Sequence, residues 1–573
     1  MTKTKRIAST AAAAVLALSM VTAASSFAAF ATPANNVAIT ITNTDGKHTY
    51  QAYQLFSGDV SDGKLTNIQW GSGVSDSAAL LEALKAYVPT GSSSSPFADC
   101  TDANSVANVL RNFEDDSDDV KAVAKIFGKY LSNDCVEATV AADATSCELN
   151  VGEEGYWLVK DKDDSLNDTE NTAYTSYILK VLGSTSLAPK SALPTVEKKV
   201  EEDEHIVNTN AVNTAIYGAK YNDVADYSIG EAFSFALKGT MPANIGSYTS
   251  YKYAFHDTLS KGFTISPMEV TVAIMNPKTG EGETGYDTTT LNEGFKTSRI
   301  TNDDGTTSID VSFDDILGLE GITVNKDTIV LVRYTAWLDS DAVVGLDGNE
   351  NEVYLTYSNN PNWDGTPGSD DDDEGKTPKD KVVVFTYEFD GTKVDSVVDT
   401  KKLKDAEFKL YYTDENSKNH YVQLDADNKV TGWTTNASDA AVIKSAEDGT
   451  FKIIGLDNGT YYLQETKAPD GYNLPSKPFT LVITSTTVNN QAWNDFDASK
   501  ALTALSLSVD GAAAQAGNTT TGVVAANITN TSGSKLPSTG GIGTKIFYVG
   551  GGAVVLASGV LLVTKKRMKN NAE

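Results

Sequence analysis

Short stretches in which apolar and polar residues alternate dominate the chain, and their spacing predicts β-strands. The segments VAITITNT (37–44) and HTYQAYQLF (48–56) alternate in this way, and GYWLVKD (155–161) and YTSYILKVL (174–182) follow later. Successive side chains of a strand point to opposite faces, so each segment can bury one face and expose the other. The sequence therefore predicts a mainly β protein, and we expect tandem immunoglobulin-like β-sandwich domains.

A helical period interrupts these strands between residues 75 and 131. In SDSAALLEALKAYV, Leu80 and Leu84 fall on one stripe, and Asp76 or Ser77 can cap the helix. Two more segments, DANSVANVLRNF and DDVKAVAKIFGKYL, continue the same period. The first domain is therefore predicted to be a β domain with a helical insertion.

Two segments rich in proline and in polar residues divide the chain. LAPKSALPTVEKKV (187–200) contains two prolines five residues apart, and NNPNWDGTPGSDDDDEGKTPKDK (359–381) contains a run of carboxylates. The acidic run lacks the alternating ligand spacing of a calcium-binding loop, so we interpret it as a solvated linker. We predict a signal peptide (1–31), an N-terminal domain (32–186), a linker (187–195), a middle domain (196–366), an acidic linker (367–380), a C-terminal domain (381–532) and a C-terminal segment (533–573).

The first 31 residues have the pattern of a secretory signal peptide. Lys3, Lys5 and Arg6 precede a long apolar stretch, and small residues follow, with Ala31 as the expected cleavage position. The mature protein is therefore expected to act outside the membrane.

The last 40 residues combine a proline-containing pentapeptide, an apolar run and a basic cluster. LPSTG (536–540) is flanked by glycines, 546–563 contains no charged residue, and 565–569 carries three lysines and an arginine. The uncharged run is long enough to cross a bilayer as a helix, and the basic cluster would keep its end on the cytoplasmic side. The pentapeptide lies on chain that a processing enzyme can reach.

Composition excludes several classes of function. The 573 residues carry a formal net charge of -30, so no nucleic-acid partner is expected. The four histidines are scattered, and neither a phosphate-binding loop nor a nucleophile elbow occurs. We expect no metal site, no cofactor and no turnover enzyme.

Three cysteines fall in the first third of the chain, and their odd number leaves one thiol over. Export permits a disulfide, but spacing alone does not select the pair. Cys100 and Cys135 flank the helical stretch, which favours them over pairs that include Cys147.

The sharpest internal motif is GTYYLQETKAPDGY (459–472) in the C-terminal domain. Alternation places Glu465 on the same face as Tyr461 and Leu463. A carboxylate on an apolar face is costly unless it is neutral or has a partner. Burial lowers the pKa of a lysine amine and raises that of a carboxylic acid. A lysine buried beside Glu465 would therefore be a neutral, nucleophilic amine.

The middle domain carries a weaker version of the same pattern. Alternation points Lys198, rather than its neighbour Lys199, toward the interior. Asp257 and Asn359 likewise share the apolar faces of their segments, YKYAFHDTLSKGFT and VYLTYSNNPN, and Asn360 is the alternative to Asn359.

LPSTG, the apolar run and the basic cluster together resemble the cell-wall sorting signal of Gram-positive surface proteins. The resemblance implies that a sortase cysteine attacks the carbonyl of Thr539 and cuts before Gly540. Leu536, Pro537 and Ser538 complete the sorting motif.

The motif at 459–472 resembles the E-box of collagen-adhesin B-type pilin domains. In that family a glutamate catalyses an amide bond between a lysine of the first strand and an asparagine of the last. Lys393 matches the family lysine and Glu465 the catalyst, while Asn530 matches the asparagine, with Asn527 as its competitor.

Lys198, Asp257 and Asn359 resemble the aspartate-type isopeptide domains of backbone pilins, with Asp257 as catalyst of the Lys198–Asn359 bond. Lys190 resembles the lysine of the pilin motif, which receives the sortase-activated threonine of a neighbour. This chain has Ala188 where that family usually has tyrosine.

These resemblances predict the major backbone subunit of a sortase-assembled Gram-positive pilus, bound to peptidoglycan at the cell surface. The implied partners are pilus-specific and housekeeping sortases, identical neighbouring subunits, and tip or minor pilins. The alternative is a wall-anchored LPXTG adhesin that does not polymerise and binds host matrix or glycans. In either case the only chemistry expected of the protein itself is single-turnover amide formation within its own domains.

Overall fold

The computed structural model of the protein describes residues 37–42, 47–61, 64–166, 170–182, 185–188, 192–203, 214–218, 220–266, 270–280, 282–363, 365, 373–488, 493, 496–533 and 542–569. The predicted signal peptide, Lys190 and the pentapeptide 536–540 lie outside these residues. The chain forms two compact units, one of residues 1–159 and 177–188 and the other of residues 160–176 and 189–573.

The first unit combines β-sheets with helices. Its elements are β1 (Ala38–Thr42), β2 (Thr49–Ser61), β3 (Lys64–Trp70), α1 (Ser77–Ala86), α2 (Ala103–Leu110), α3 (Asp118–Gly128), β4 (Val136–Thr139), β5 (Ser146–Asn150), β6 (Gly155–Asp161), β7 (Ile178–Leu182) and β8 (Thr185–Leu187). One sheet has the strand order β5-β1-β8, and the other has the order β3-β2-β6-β7, with β4 paired to β2. The helices lie in sequence between β3 and β4.

Side-chain caps fix where these helices begin. The Asp76 side chain accepts hydrogen bonds from the first backbone N–H groups of α1, Asp102 forms a capping box with Ser105 at α2, and Ser117 caps α3. Each cap satisfies donors that the helix itself leaves without partners. Leu80 of α1 is buried in the apolar core of this unit.

The disulfide predicted between Cys100 and Cys135 is absent, because both side chains are free thiols. Cys100 is buried before α2, Cys135 is half-buried before β4, and both pack against the same core. Burial raises the pKa of the Cys100 thiol, which keeps it neutral and unreactive. Apolar packing therefore connects this region without a covalent link.

The middle part of the second unit is built from two sheets. Its elements are β9 (Val196–Glu201), α4 (Thr214–Tyr217), β10 (Tyr221–Asn222), β11 (Val224–Asp226), β12 (Ala232–Thr240), β13 (Tyr253–Leu259), β14 (Phe263–Ile265), β15 (Thr271–Pro277), β16 (Tyr286–Leu291), β17 (Lys296–Thr301), β18 (Thr307–Phe313), β19 (Ile329–Leu338), β20 (Asn349–Ser358), β21 (Glu374–Lys376) and β22 (Asp380–Phe385), with short 3-10 turns at Ile245–Ser247 and Ile316–Gly318. The strand orders are β10-β9-β12-β19-β15-β16, with β14 on β19, and β11-β22-β20-β13-β18-β17, with β21 on β20.

The predicted boundary at residue 381 is wrong. Strand β22 pairs with β20 and β11 of the middle domain, and β21 pairs with β20 inside the predicted acidic linker 367–380. Val382 to Phe385 are all buried, as expected for a strand with neighbours on both sides. The C-terminal domain therefore begins after Thr386.

The C-terminal domain brings its first and last strands together. Its elements are β23 (Tyr387–Asp395), β24 (Glu407–Thr413), β25 (Asn419–Leu424), β26 (Val430–Thr434), β27 (Ile443–Lys444), β28 (Thr450–Leu456), β29 (Gly459–Lys467), β30 (Phe479–Thr487), α5 (Ala498–Ala501), β31 (Leu502–Val509), β32 (Gln515–Ala516) and β33 (Val523–Asn530). The strand orders are β28-β23-β33 and β26-β25-β24-β29-β30-β31-β32, with β27 on β24. Strands β23 and β33 run parallel.

A final helix, α6 (Ile542–Lys569), covers the apolar run and the basic cluster. Among the residues that the structure describes, no helix is long and apolar enough to cross a membrane. The transmembrane helix predicted at 546–563 is therefore not supported.

Buried carboxyl groups gather where the middle and C-terminal domains meet. Asp226, at the end of β11, accepts hydrogen bonds from the Tyr387 hydroxyl at 2.8 Å, from the Asn458 side-chain amide at 2.9 Å and from the Ser485 hydroxyl at 2.5 Å. These donors come from three strands or turns of the C-terminal domain, so one carboxylate joins the two domains by polar contacts.

Other acids lie around Asp226. Glu202 and Asp457 are buried, and Asp203 and Glu231 are half-buried. Burial, together with the neighbouring carboxylates, raises the pKa of Asp457 and raises that of Glu231 to about 7. Like charges in a poorly solvated place favour the protonated forms.

This cluster predicts that the protein is more stable in mild acid than in mild alkali. The pKa of Glu231 is higher in the folded chain than in the unfolded chain, so its contribution is lost as pH rises from about 4.5 to about 7. Glu231→Gln should raise the melting temperature by about 2–4 °C at pH 8 and change it little at pH 4. Glu293→Gln, at an exposed site, should leave the melting temperature unchanged at both pH values. Equal shifts at both pH values would contradict this explanation.

Candidate functional site

A lysine, a glutamate and an asparagine meet in the core of the C-terminal domain. Lys393 Nζ donates hydrogen bonds to Glu465 Oε2 at 2.7 Å and to Asn530 Oδ1 at 2.6 Å. Asn530 Nδ2 donates to Glu465 Oε1 at 2.7 Å, which closes a triangle. Lys393 and Asn530 lie on the parallel neighbours β23 and β33, and Glu465 reaches them from β29 of the facing sheet.

The triangle has apolar walls. All three side chains are buried, and the Lys393 amine lies 5.3 Å and 5.1 Å from the ring centroids of Phe408 and Phe479. Burial lowers the pKa of Lys393, although the Glu465 carboxylate opposes the shift. The surroundings therefore favour a neutral amine, which is the nucleophilic form.

The register of β33 decides between the two asparagines that the sequence offered. Asn530 pairs with Asp395, two residues beyond Lys393, and its side chain is buried. Asn527 pairs with Thr392 and is exposed. The structure thus brings together Lys393, Glu465 and Asn530.

This arrangement has the components of an amide exchange. Lys393 Nζ can attack Cγ of Asn530, the Cγ–Nδ2 bond can break, and ammonia can leave. The Glu465 carboxyl can stabilise the oxyanion, take the proton that the amine loses and pass it to the departing nitrogen. The product is one secondary amide and one ammonia, without an external reactant.

The middle domain holds a second buried lysine and acid. Lys198 Nζ, on β9, donates to Asp257 Oδ1 of β13 at 2.5 Å and to the Tyr334 hydroxyl of β19 at 3.2 Å. Tyr334 in turn donates to Asp257 Oδ2. Burial lowers the pKa of Lys198 to about 8 and raises that of Asp257. The predicted Lys198 and Asp257 are thus together.

The structure does not bring Asn359, the predicted acceptor, together with Lys198 and Asp257. The Asn359 backbone N–H donates to Asp373 O, its carbonyl accepts from Tyr174 N, and its side-chain amide makes no hydrogen bond within the described structure. The alternative, Asn360, donates to the Asp373 carboxylate. Both lie past the end of β20, beyond the pairing of Tyr253 with Tyr357.

Asn351 occupies the place that sequence reasoning gave to Asn359. It is fully buried, and its Nδ2 donates to the Tyr334 hydroxyl at 2.7 Å, the same hydroxyl that contacts Lys198. Its side-chain oxygen, Oδ1, has no hydrogen-bond partner among the residues that the structure describes. Asn351 lies two residues before Val353, which pairs with Asp257. The alternating face of Val353, Leu355 and Tyr357 therefore includes Asn351 when it is extended by one position toward the N-terminus.

Strands β8 and β9 end and begin on either side of Lys190, at Leu187 and Val196. Near the end of the C-terminal domain, Tyr472 forms an isolated bridge with Ser532. Ser532 lies four residues before Leu536, the first residue of the sorting motif. The structure therefore describes the chain on both sides of the linker lysine and up to Gly533, before the sorting pentapeptide.

Comparison with known proteins agrees with the resemblances seen in the sequence. Residues 388–495 match the SpaA prealbumin-like fold domain, and residues 528–570 match the LPXTG cell wall anchor motif. The trypsin-resistant surface T6 protein of Streptococcus pyogenes serotype M6 is 27% identical over 447 residues, which cover 67% of this chain and 71% of that protein.

Solved structures of pilins are also similar to this chain over most of its length. The T6 backbone pilin of serotype M6 Streptococcus pyogenes has 20% identity and a TM-score of 0.48, covering 87% of this chain and 98% of its own. The major pilin SpaD of Corynebacterium diphtheriae has 15% identity and a TM-score of 0.44, with the same coverage. These two family models match the C-terminal domain and the C-terminal segment only, and the match to the LPXTG anchor motif supports a cell-wall-anchored location at the surface.

Proposed function

We propose that this protein is the major structural subunit of a covalent pilus, assembled by sortase and attached to peptidoglycan. The observation that carries the proposal is the buried triangle of Lys393, Glu465 and Asn530 in a chain that ends with an LPXTG anchor. The relative named as a T6 backbone pilin supports the same reading.

In this proposal the triangle reacts once, and the domain is its own substrate. The resulting amide links β23, the first strand of the domain, to β33, the last. A pulling force that enters through one of these strands and leaves through the other then passes through a covalent bond instead of separating the sheets. The link also restricts the unfolded chain as a disulfide does, which by analogy stabilises the domain by about 2–5 kcal/mol.

We propose an equivalent reaction in the middle domain, between Lys198 and Asn351 with Asp257 as catalyst. Support comes from the contacts of Lys198 with Asp257 and of both Lys198 and Asn351 with the Tyr334 hydroxyl. Tyr334 is a positioning residue in this scheme, because it holds the asparagine amide beside the amine and can keep the carboxyl oriented.

Assembly requires a second, intermolecular amide. A pilus-specific sortase would cleave after Thr539 and transfer the threonyl carbonyl to Lys190 of an identical neighbour. A housekeeping sortase would transfer the last subunit to peptidoglycan, and minor or tip pilins would occupy the remaining positions. These roles rest on the sorting motif and on the place of Lys190 between β8 and β9.

The first test is the intact mass of the chain from residue 32 to residue 533. The wild type should be lighter than its sequence by two molecules of ammonia, one for each domain. Glu465→Gln and Asn530→Ala should each restore one ammonia, and Asn527→Ala, on the same strand but exposed, should not. Loss of the C-terminal amide should also lower the melting temperature of that domain. A wild-type mass equal to that of the sequence would exclude both reactions.

The second test separates the two candidate acceptors of the middle domain. Asn351→Ala and Asp257→Ala should each be lighter than their own sequence by one ammonia instead of two, with Lys198 and the 349–358 strand recovered in separate peptides. Asn359→Ala should still be lighter than its own sequence by two ammonias, because its side chain does not contact the lysine site. The reverse pattern would assign the bond to Asn359.

The third test distinguishes a pilus from a single wall-anchored adhesin. Lys190→Arg preserves the charge but removes the nucleophile, because guanidinium does not deprotonate in proteins. Wall extracts should then lose their detergent-resistant ladder of high mass while monomer remains attached. Thr539→Ala should abolish both. A wild type that yields only anchored monomer would favour the adhesin.

A further inference from the structure

Exposed apolar side chains gather at one end of the C-terminal domain. Val397 and Val398 are 85% and 50% exposed, and Leu474 is 52% exposed. Single exposed apolar residues are ordinary on protein surfaces. Here two adjacent valines project from one loop, and a leucine projects from the loop that follows the motif at 459–472.

Hydrogen bonds hold these two loops in place and close to each other. The Asp395 carboxylate accepts from Val397 N at 2.8 Å and Val398 N at 3.0 Å. Its other oxygen accepts from the Tyr472 hydroxyl at 2.7 Å, which ties the loops together. The apolar side chains are therefore displayed on ordered backbone, so their exposure does not result from a loose segment.

The same loops surround the point where the chain leaves the domain. Ser396 Oγ bonds Thr531 Oγ1 at 3.2 Å from one side, and Asn473 N donates to Thr531 O at 3.0 Å from the other. Gly533 N then donates to Gly471 O at 2.9 Å. We call the surface formed by Val397, Val398 and Leu474 the exit patch.

The length of the remaining chain limits how far the exit patch can be from a joined neighbour. Thr539 lies six residues after Gly533, and six residues span at most about 20 Å when fully extended. In the proposed pilus the Thr539 carbonyl is bonded to a lysine of the next subunit. The surface of that subunit must therefore come within this distance of the place where the exit patch lies.

We propose that the exit patch is a docking surface for a second copy of this chain, the next subunit of the fibre. The inference rests on the proposed function. A sortase also approaches this end of the domain, but it leaves after transfer, whereas the neighbour stays for the life of the bond. The bonded neighbour stays at this end of the domain and can keep these apolar side chains away from water in the assembled fibre, which favours it as the occupant.

The covalent bond makes even a small contact effective. Once the two subunits are joined, docking is intramolecular, and the short tether gives the patch a high effective concentration of its partner surface. Before joining, the same contact would increase the fraction of encounters in which the acceptor amine lies near the acyl-enzyme. The patch would thus favour transfer to a subunit over transfer to a small amine.

The test compares two acceptors for the same sorting signal. The triple variant Val397→Ser, Val398→Ser and Leu474→Ser is incubated with the pilus sortase, either alone or with hydroxylamine. Subunit-to-subunit ladders should form about tenfold more slowly than with the wild type, while hydroxylamine release should be unchanged. Val442→Ser, at a site that is 58% exposed elsewhere in the domain, should alter neither rate.

Each other outcome has a distinct meaning. If both rates fall together, the patch contacts the sortase and the proposal is wrong; it is also wrong if neither rate falls. A wild type that reacts with hydroxylamine but forms no ladder overturns the proposed function itself, and the inference with it.

Labelling in the finished fibre gives a second, independent measurement. The variant V397C is treated with a maleimide as monomer and as purified fibre, and the modified peptide is quantified by mass. Labelling in the fibre should be slower by about tenfold or more, whereas V442C should react equally in both forms. Equal labelling of V397C in monomer and fibre overturns the docking surface.

Discussion

Two fully buried lysine side chains, Lys198 and Lys393, are the constraint on which the core of the second unit depends. A charged ammonium in such a place is costly, and pairing it with a carboxylate offsets that cost only when the geometry is good. At both sites aromatic rings lie around the amine. Glu465 and Asn530 are side-chain partners of the Lys393 amine, whereas Asp257 and the Tyr334 hydroxyl are those of the Lys198 amine. The proposed reaction would remove this cost, because proton transfer would neutralise the pair and amide formation would then consume the amine. The apolar residues packed around each lysine therefore have two effects: they form the core, and they favour the neutral, reactive form of the amine.

The mainly β character and the inward face of Glu465 could be predicted from local alternation, whereas Lys393 and Asn530 were assigned by resemblance to the E-box family. Period two placed Glu465 with Tyr461 and Leu463 on an inward face, and all three are buried. The same rule chose Lys198 over Lys199 for the lysine site, although Lys199 is also buried and pairs with Asp223. Alternation says which face a side chain occupies. It does not identify the side chain from another strand that it contacts.

What could not be predicted depends on pairing between distant strands. Asn351 and Asn359 lie on the same face of one segment, and only the register of β20 against β13 places the first beside Asp257. Tyr334, which joins the lysine, the acid and the asparagine, lies on a strand with no unusual motif. Cys100 and Cys135 flank the helices as a disulfide would, yet apolar packing serves there without one. These contacts depend on how distant strands pack together. The periodicity of a single sequence does not show which distant residues meet.

Strand β22 leaves almost no linker between the middle and C-terminal domains. It completes a sheet of the middle domain, and after the single residue Thr386 the chain is already in β23 of the next domain. Thr386 is fully buried, and its hydroxyl donates to Leu456 O at 3.1 Å. A protease needs several residues of extended, accessible chain to bind and cut, and this junction offers none. Digestion that shortens the protein elsewhere would therefore release the middle and C-terminal domains as one fragment.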